Sequence, residues 1–329
     1  MKILAVDDNP DILEILEMMA CSIGFTDVST ALSGEIALNI LKNCEVSFDC
    51  LLLDINMTGM DGIELCKLVR TMPAYRKTPI IMLTAMTEKN FINRAFQAGA
   101  TDYANKPFDI VELNARLRMA EEVVAARHEA ATAISIVDTH HPEAPNQHAF
   151  DIFDKIEIEG VEHMTEYAAL GNYLTQLSRA GLVSSQVFAV KIDEVEAIYA
   201  RSSSEEFIYA LTEVADAISD VMRSSGYMMA YAGNGAFVVI SNKATLEPSV
   251  GLEVEIQDAL DERNLEYDNS DPLDIKISIG NPMRPNTSKN QRIRRTFDRM
   301  IARAESRALR KRSEPRSLNI RLVNGLKLH

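Results

Sequence analysis

No run of apolar residues in this 329-residue chain approaches the roughly 18 that a membrane-crossing helix needs. The first residues, Lys2-Ile3-Leu4-Ala5-Val6, read as a strand and not as the basic start of an export signal. Membrane insertion is therefore not expected, and a cytoplasmic location is. Cysteine is scarce: Cys21, Cys44, Cys50 and Cys66 all fall in the first third, without metal-ligand spacing, and read as reduced small residues. Positive charge is in deficit overall, with a net charge of −14, but the deficit is uneven. Across residues 292–329, 12 Lys and Arg face only three acids, so this stretch carries +9, while the rest, with 22 bases and 45 acids, carries −23. Such a block marks either a contact with an acidic partner or nucleic acid, or simply a helix with a solvated basic face. No helix-turn-helix pattern accompanies it and aromatics are sparse there, so nucleic acid is not the expected partner.

What is present reads as soluble and globular, with 47% hydrophobic and 25% charged residues and a length suited to two domains. In the first third, short apolar strands alternate with amphipathic helices. Strands are expected at 2–6, 27–31, 50–54, 79–84 and 101–104, and helices at 10–23, 33–43, 61–71, 88–98 and from about Asp109. That alternation predicts a doubly wound, five-stranded parallel sheet, whose site forms at the carboxyl ends of its strands. Five residues would gather on that rim. Asp7 and Asp8 follow the first strand, Asp54 ends the third, Thr84 ends the fourth and Lys106 follows the fifth. An isolated acidic doublet more often caps a helix, but three carboxylates form the all-oxygen set that Mg²⁺ prefers. With a cation and Lys106 offsetting charge, one carboxylate can attack phosphorus.

These residues, with Leu53-Asp54-Ile55-Asn56-Met57-Thr58-Gly59-Met60-Asp61-Gly62, Leu83-Thr84-Ala85, Gly99-Ala100-Thr101-Asp102-Tyr103 and Lys106-Pro107-Phe108, resemble a response-regulator receiver domain over residues 1–120. The resemblance implies that Asp54 accepts phosphate from a histidine kinase or phosphotransfer protein. It implies that Asp8, Asp54 and the backbone carbonyl of Asn56 hold Mg²⁺, with Asp7 acting through water. It also implies a flavodoxin-like order of the five strands, that Thr84 and Tyr103 form a switch pair and that the Lys106-Pro107 bond is cis.

Beyond the receiver, residues 121–160 read as a helical extension and linker. Apolar or small residues at Ile110, Leu113, Leu117, Ala120, Val124, Ala131 and Ile134 recur at heptad spacing, which suits either a homodimer seam or a connector helix. A polar, proline-bearing linker follows at 137–147. His140, His141, His148 and His163 are more simply solvated than metal-bound.

Residues 161–329 read as an α+β domain with a mostly antiparallel, palm-like sheet. Helices are expected from about 162 and at 203–223, 246–263 and 291–311. Strands are expected at 187–192, 227–232, 237–240, 273–279 and 318–323, with Gly233-Asn234-Gly235 turning a hairpin. Leu170-Gly171-Asn172, Phe188 to Asp193, the hairpin through Gly235-Ala236-Phe237, Lys276 to Gly280, and Arg303-Ala304-Glu305 resemble the GGDEF domain of diguanylate cyclases. In that resemblance Lys191 stands at the first metal acid, Ala236 at the second, and Tyr199 and Ile208 at the guanine-reading residues. Two-metal chemistry without its carboxylates has little to hold the ions. The domain is therefore read as a degenerate, non-catalytic output that binds a downstream protein, with no nucleotide expected. The rival readings are a nucleotide-binding or residual cyclase domain, and a DNA-binding regulator using the basic helix.

Overall fold

The computed structural model describes residues 1–85, 89–137, 148–177, 181–182, 184–243, 249–285 and 292–313. The first domain is built from β1 (Lys2–Val6), α1 (Pro10–Ser22), β2 (Asp27–Ala31), α2 (Gly34–Asn43) and β3 (Cys50–Asp54). It continues through α3 (Gly62–Arg70), β4 (Ile80–Thr84), α4 (Lys89–Gln97), β5 (Asp102–Asn105) and α5 (Ile110–Val137). The strands pair in parallel in the order β2-β1-β3-β4-β5. Every residue of β3 and β4 is buried, as central strands covered by helices on both faces must be. Side chains start the helices where the sequence offers them: Asn9 Oδ1 accepts from Asp11 N at 2.9 Å and Asp61 Oδ1 from Glu64 N at 2.7 Å.

One heptad expectation changes meaning. Leu113, Leu117 and Ala120 are buried with Leu13, Leu16 and Ala20 of α1 under the sheet, so these three positions of the stripe are receiver core and not a free dimer seam, while Ile110 is exposed. Ala131 and Ile134 lie outside the residues whose side chains are described.

The second domain contains α6 (Tyr167–Gln176), β6 (Gln186–Ile192), α7 (Val195–Arg201), α8 (Ser204–Met222), β7 (Tyr227–Tyr231), β8 (Ala236–Ser241), α9 (Ser249–Asp261), β9 (Ile277–Ile279) and α10 (Arg292–Ser313). Its sheet is antiparallel in the order β7-β8-β6-β9. The strand expected over 273–279 shortens to β9, since Leu273 N donates instead to the Leu265 carbonyl at 2.9 Å, and helix side chains take the outer edge of β9. Gln257 accepts from Ile277 N at 3.0 Å, Glu253 accepts from Ile279 N at 2.9 Å, and Lys311 donates to the Ile277 carbonyl at 2.6 Å. An edge capped in this way offers no free ladder to another strand. Helix α7 was not legible in the sequence, and the strand expected at 318–323 lies outside the described residues.

The stretch after 147, expected as linker, is part of the second domain's core. Phe150, Ile152, Ile156, Ile158 and Val161 pack with Phe207, Phe188 and Tyr231, and Met164 bridges to Met229 on the other edge of the sheet. The histidine expectation also resolves. His140 and His141 fall outside the described residues; His148 stacks on Tyr199 and His163 meets the Tyr227 ring edge-on. Among the described residues, the group with metal-ligand geometry is Asp7, Asp8 and Asp54. No helix of the described residues is long and apolar enough to cross a membrane.

Candidate functional site

The rim of the parallel sheet brings four of its expected residues into one polar cluster. Ligand oxygens of Asp7, Asp8 and Asp54 lie within 4.8 Å of one another. Lys106 Nζ stands 2.6 Å from Asp7 Oδ2 and 2.9 Å from Asp54 Oδ1. Asp7 and Asp54 are buried, while Asp8 is half-buried and accepts from the Thr58 backbone at 3.0 Å and its hydroxyl at 3.2 Å. The second oxygen of Asp7 accepts from Asn9 N at 3.0 Å. Asn56 lies exposed in the loop directly after β3.

Burial raises the Asp54 carboxyl above the ordinary aspartate range, against the pull of Lys106, and the charges of Asp7 and Asp8 push it further up. Burial also pulls on the Lys106 ammonium, but hydrogen bonds and charges from Asp54 and Asp7 outweigh it and raise Lys106 overall. The cluster is therefore three acids against one base, compressed in a partly desolvated rim. An added divalent cation relieves that imbalance, and the oxygen-only donor set suits a hard ion.

The turn after β3 is shaped around the same site. A Cβ at Gly62 would stand 2.0 Å from the Asp54 carbonyl oxygen, so only glycine lets α3 begin there. Thr84, buried, ends β4, and Lys106 N donates to its carbonyl at 2.7 Å. The Lys106-Pro107 peptide is cis. Tyr103 lies one strand over and is also buried, which pushes its hydroxyl up to about 12. Its hydroxyl donates to the backbone carbonyl of Gln176 in α6, a contact no local sequence pattern signals.

In the second domain, β6 and β8 set Lys191 opposite Ala236, with Gly235 in the turn that joins β7 to β8. Lys191 is buried and donates to the Asn234 carbonyl; Ala236 is buried, and Gly235 N donates to the Tyr231 hydroxyl at 3.0 Å. Tyr199 on α7 is covered by the His148 ring at 3.6 Å, while Ile208 lies on the outer face of α8. Asp193 Oδ2 is bound by Ser278 at 3.1 Å and Lys311 at 3.4 Å. Thus Lys191, Gly235 and Ala236 come together, and Ile208 stands apart on the surface.

The basic helix α10 divides into two sides. Arg307 pairs with Glu253 at 3.2 Å, Lys311 with Asp193, and Arg312 with Glu194 at 3.4 Å, so one side is neutralised within the domain. Arg295, Arg299 and Arg310 are exposed on the other side.

Residues 3–118 match the family model described as the response regulator receiver domain. The chain is 39% identical over 108 residues to the chemotaxis protein CheY of Pseudomonas aeruginosa, covering 33% of this chain and 86% of that protein. It is 38% identical over 117 residues to the DNA-binding response regulator MtrA of Mycolicibacterium smegmatis, covering 36% of this chain and 49% of that one. The chain spans about half the length of MtrA and of the transcriptional regulatory proteins ResD and YvrH of Bacillus subtilis. A solved structure of Vibrio cholerae CheY4 aligns at 34% identity with a TM-score of 0.34, covering 36% of this chain and 97% of that one.

Proposed function

Through residues 3–118 this chain belongs to the response regulator receiver family, and we propose that it takes a phosphoryl group on Asp54 and passes that state to a second domain that binds a protein partner. The observation that carries this reading is the position of Lys106, whose single ammonium bridges Asp7 and Asp54 beside Asp8. Of the three acids, Asp54 is the one at the end of the central strand, within reach of Lys106 and with Thr84 ending the adjoining strand.

Asp8, Asp54 and the Asn56 carbonyl would hold Mg²⁺, with Asp7 acting through water; when bound, the ion neutralises charge on the incoming phosphoryl group. Asp54 attacks phosphorus through a carboxylate oxygen. An oxygen–phosphorus bond forms as the bond to the donor's nitrogen breaks, and the phosphodonor's histidine leaves with the electron pair. Lys106 holds Asp54 in place and then shares its charge with the phosphoryl oxygens. Thr84 places a hydroxyl at the end of the adjoining strand β4. The phosphodonor is a histidine kinase or phosphotransfer protein.

For the second domain we infer a degenerate GGDEF-like module without catalysis. Three features support that reading. Lys191 places an ammonium where a cyclase of that family would place a metal ligand, and its hydrogen bond goes to the hairpin. Ala236 offers no ligand atom. The Tyr199 ring is occupied by His148, and the adjacent backbone of Phe150 accepts from the Tyr199 hydroxyl. Incubation with a small phosphodonor and Mg²⁺ is expected to add one phosphate by mass, absent in Asp54→Ala. Equal labelling of that variant refutes the assignment.

A further inference from the structure

Lys106 compensates two of the three acids on the rim. Its ammonium stands 2.6 Å from Asp7 Oδ2 and 2.9 Å from Asp54 Oδ1, and among the described residues no cation pairs with Asp8. Asp8 is stabilised from another direction. Its Oδ2 accepts two hydrogen bonds from a single residue, one from Thr58 N at 3.0 Å and one from Thr58 Oγ1 at 3.2 Å. Hydrogen bonds to an ionised acceptor are about twice as strong as neutral ones. Any residue but proline at position 58 would bring the N–H; the hydroxyl is supplied by the threonine side chain, so the second bond depends on the identity of that residue.

The loop that carries Thr58 is itself held in place. It leaves β3 at Asp54 and enters α3 at Gly62, which lies against the Asp54 carbonyl. Met57 is buried, Gly59 takes a φ of +80°, and Met60 N donates to Glu35 Oε1 of α2 at 3.0 Å. The two donors of Thr58 therefore stand at a fixed place beside the acid cluster. An unrestrained aspartate carboxylate turns in a broad two-fold well. Two bonds to one oxygen remove that freedom. In the orientation they fix, a ligand oxygen of Asp8 already lies within 4.8 Å of those of Asp7 and Asp54. Asp8 thus needs no rotation, and no break with Thr58, to join the other two acids around a cation.

We propose that Thr58 is a positioning residue for the receiver's Mg²⁺: its hydroxyl, together with its N–H, holds Asp8 in the orientation in which that carboxylate ligates the ion, and so raises the affinity of the site. This rests on Asp8 being a ligand of Mg²⁺. A partner that orients a ligating side chain is worth about 10- to 100-fold in metal affinity. Thr58 is exposed, and its N–H remains when the hydroxyl is removed, so the low end of that range applies. A competition between Thr58 and the ion for Asp8 would have the opposite sign, with the ion bound more tightly once the hydroxyl is gone.

Calorimetric titration of the full chain with Mg²⁺ reads binding without phosphorylation. Thr58→Val keeps the shape and the N–H but lacks the hydroxyl, and is expected to bind Mg²⁺ about tenfold more weakly. Thr58→Ser restores the hydroxyl and is expected to stay close to wild type, and thermal melts without Mg²⁺ establish that both variants are folded. In phosphodonor labelling, the Mg²⁺ concentration giving half the maximal rate is expected to rise by the same factor in Thr58→Val, the lost rate returning as Mg²⁺ is raised. Unchanged or tighter binding in folded Thr58→Val, a Thr58→Ser as weak as Thr58→Val, or a rate loss that Mg²⁺ does not restore overturns the proposal. Asp8→Asn separates it from the reading it rests on. Mg²⁺ affinity unchanged in Asp8→Asn removes Asp8 from the site and the role of Thr58 with it, whereas affinity lost in Asp8→Asn but unaltered in Thr58→Val removes the role of Thr58 alone.

Discussion

Gly62 and Asp54 are in backbone contact: a Cβ built on Gly62 would stand 2.0 Å from the Asp54 carbonyl oxygen and 2.8 Å from its carbonyl carbon. The first turn of α3 thus rests directly on the residue whose side chain faces the acid cluster. Gly62→Ala is expected to push β3 and α3 apart, at a cost of roughly 1–3 kcal/mol for overpacking. It should also slow labelling of Asp54, because the carboxylate moves from Lys106. Denaturant unfolding together with phosphodonor labelling checks both; a variant as stable and as fast as wild type refutes the steric argument.

Asp54 predicts a pH dependence opposite to that of a salt-bridged surface acid. Its carboxyl is raised in the folded state by burial first, so the folded chain binds that proton more tightly than the unfolded one. The charged form therefore costs stability above the folded pKa, and the cost disappears below the ordinary aspartate value of about 3.9. Asp54→Asn is expected to melt higher than wild type at pH 7 without Mg²⁺, with the gap closing as pH falls through the carboxylate range. Added Mg²⁺ should narrow the gap at pH 7, since it binds the charged form. A gap that widens on acidification contradicts the sign.

Lys106 is the one described cation within 4.0 Å of Asp7 and Asp54. Lys106→Met should leave two buried acids without their counter-charge and cost up to roughly 3 kcal/mol at neutral pH. Because Mg²⁺ can take over part of that neutralisation, the loss is expected to shrink as Mg²⁺ is added. Thermal melts across a Mg²⁺ series settle this, and a loss independent of the ion would detach Lys106 from the acid cluster.

The two sides of α10 make separable predictions. Arg307→Ala removes a partner of Glu253, which also caps β9, and should cost roughly 1–2 kcal/mol. Arg299→Ala, on the exposed side, should lie within roughly 0.5 kcal/mol of wild type. Duplex DNA is expected to bind weakly at low salt and to be lost steeply as salt rises. Sequence-selective binding at physiological salt would favour the DNA-binding reading of this helix.

The second domain is expected to make no cyclic dinucleotide and to bind GTP weakly or not at all. Calorimetry with GTP and with cyclic di-GMP, and chromatography of a GTP reaction, test this. Turnover above a mock-purified control overturns the non-catalytic reading, and micromolar binding without turnover makes the domain a nucleotide sensor.

The receiver was legible because its signals are local. Central strands such as Leu51-Leu52-Leu53 and Ile80-Ile81-Met82 must be apolar on both faces, and parallel pairing puts their carboxyl ends on one rim, so Asp54, Thr84 and Lys106 follow from strand position alone. The same patterns misread α5: heptad spacing does not say whether Leu113 and Leu117 meet another chain or their own sheet, and tertiary packing made them core. Nor does composition reveal that residues after 147, polar and proline-bearing just before, would seat Phe150 and Ile152 against Phe207. The pairing of Tyr103 with Gln176, 73 residues away, and the capping of β9 by Glu253 and Lys311 depend on contacts between elements remote in sequence. Periodicity records only which face of an element is apolar. Which partner covers that face, and which polar groups then lose water and must find each other, is decided when the elements pack.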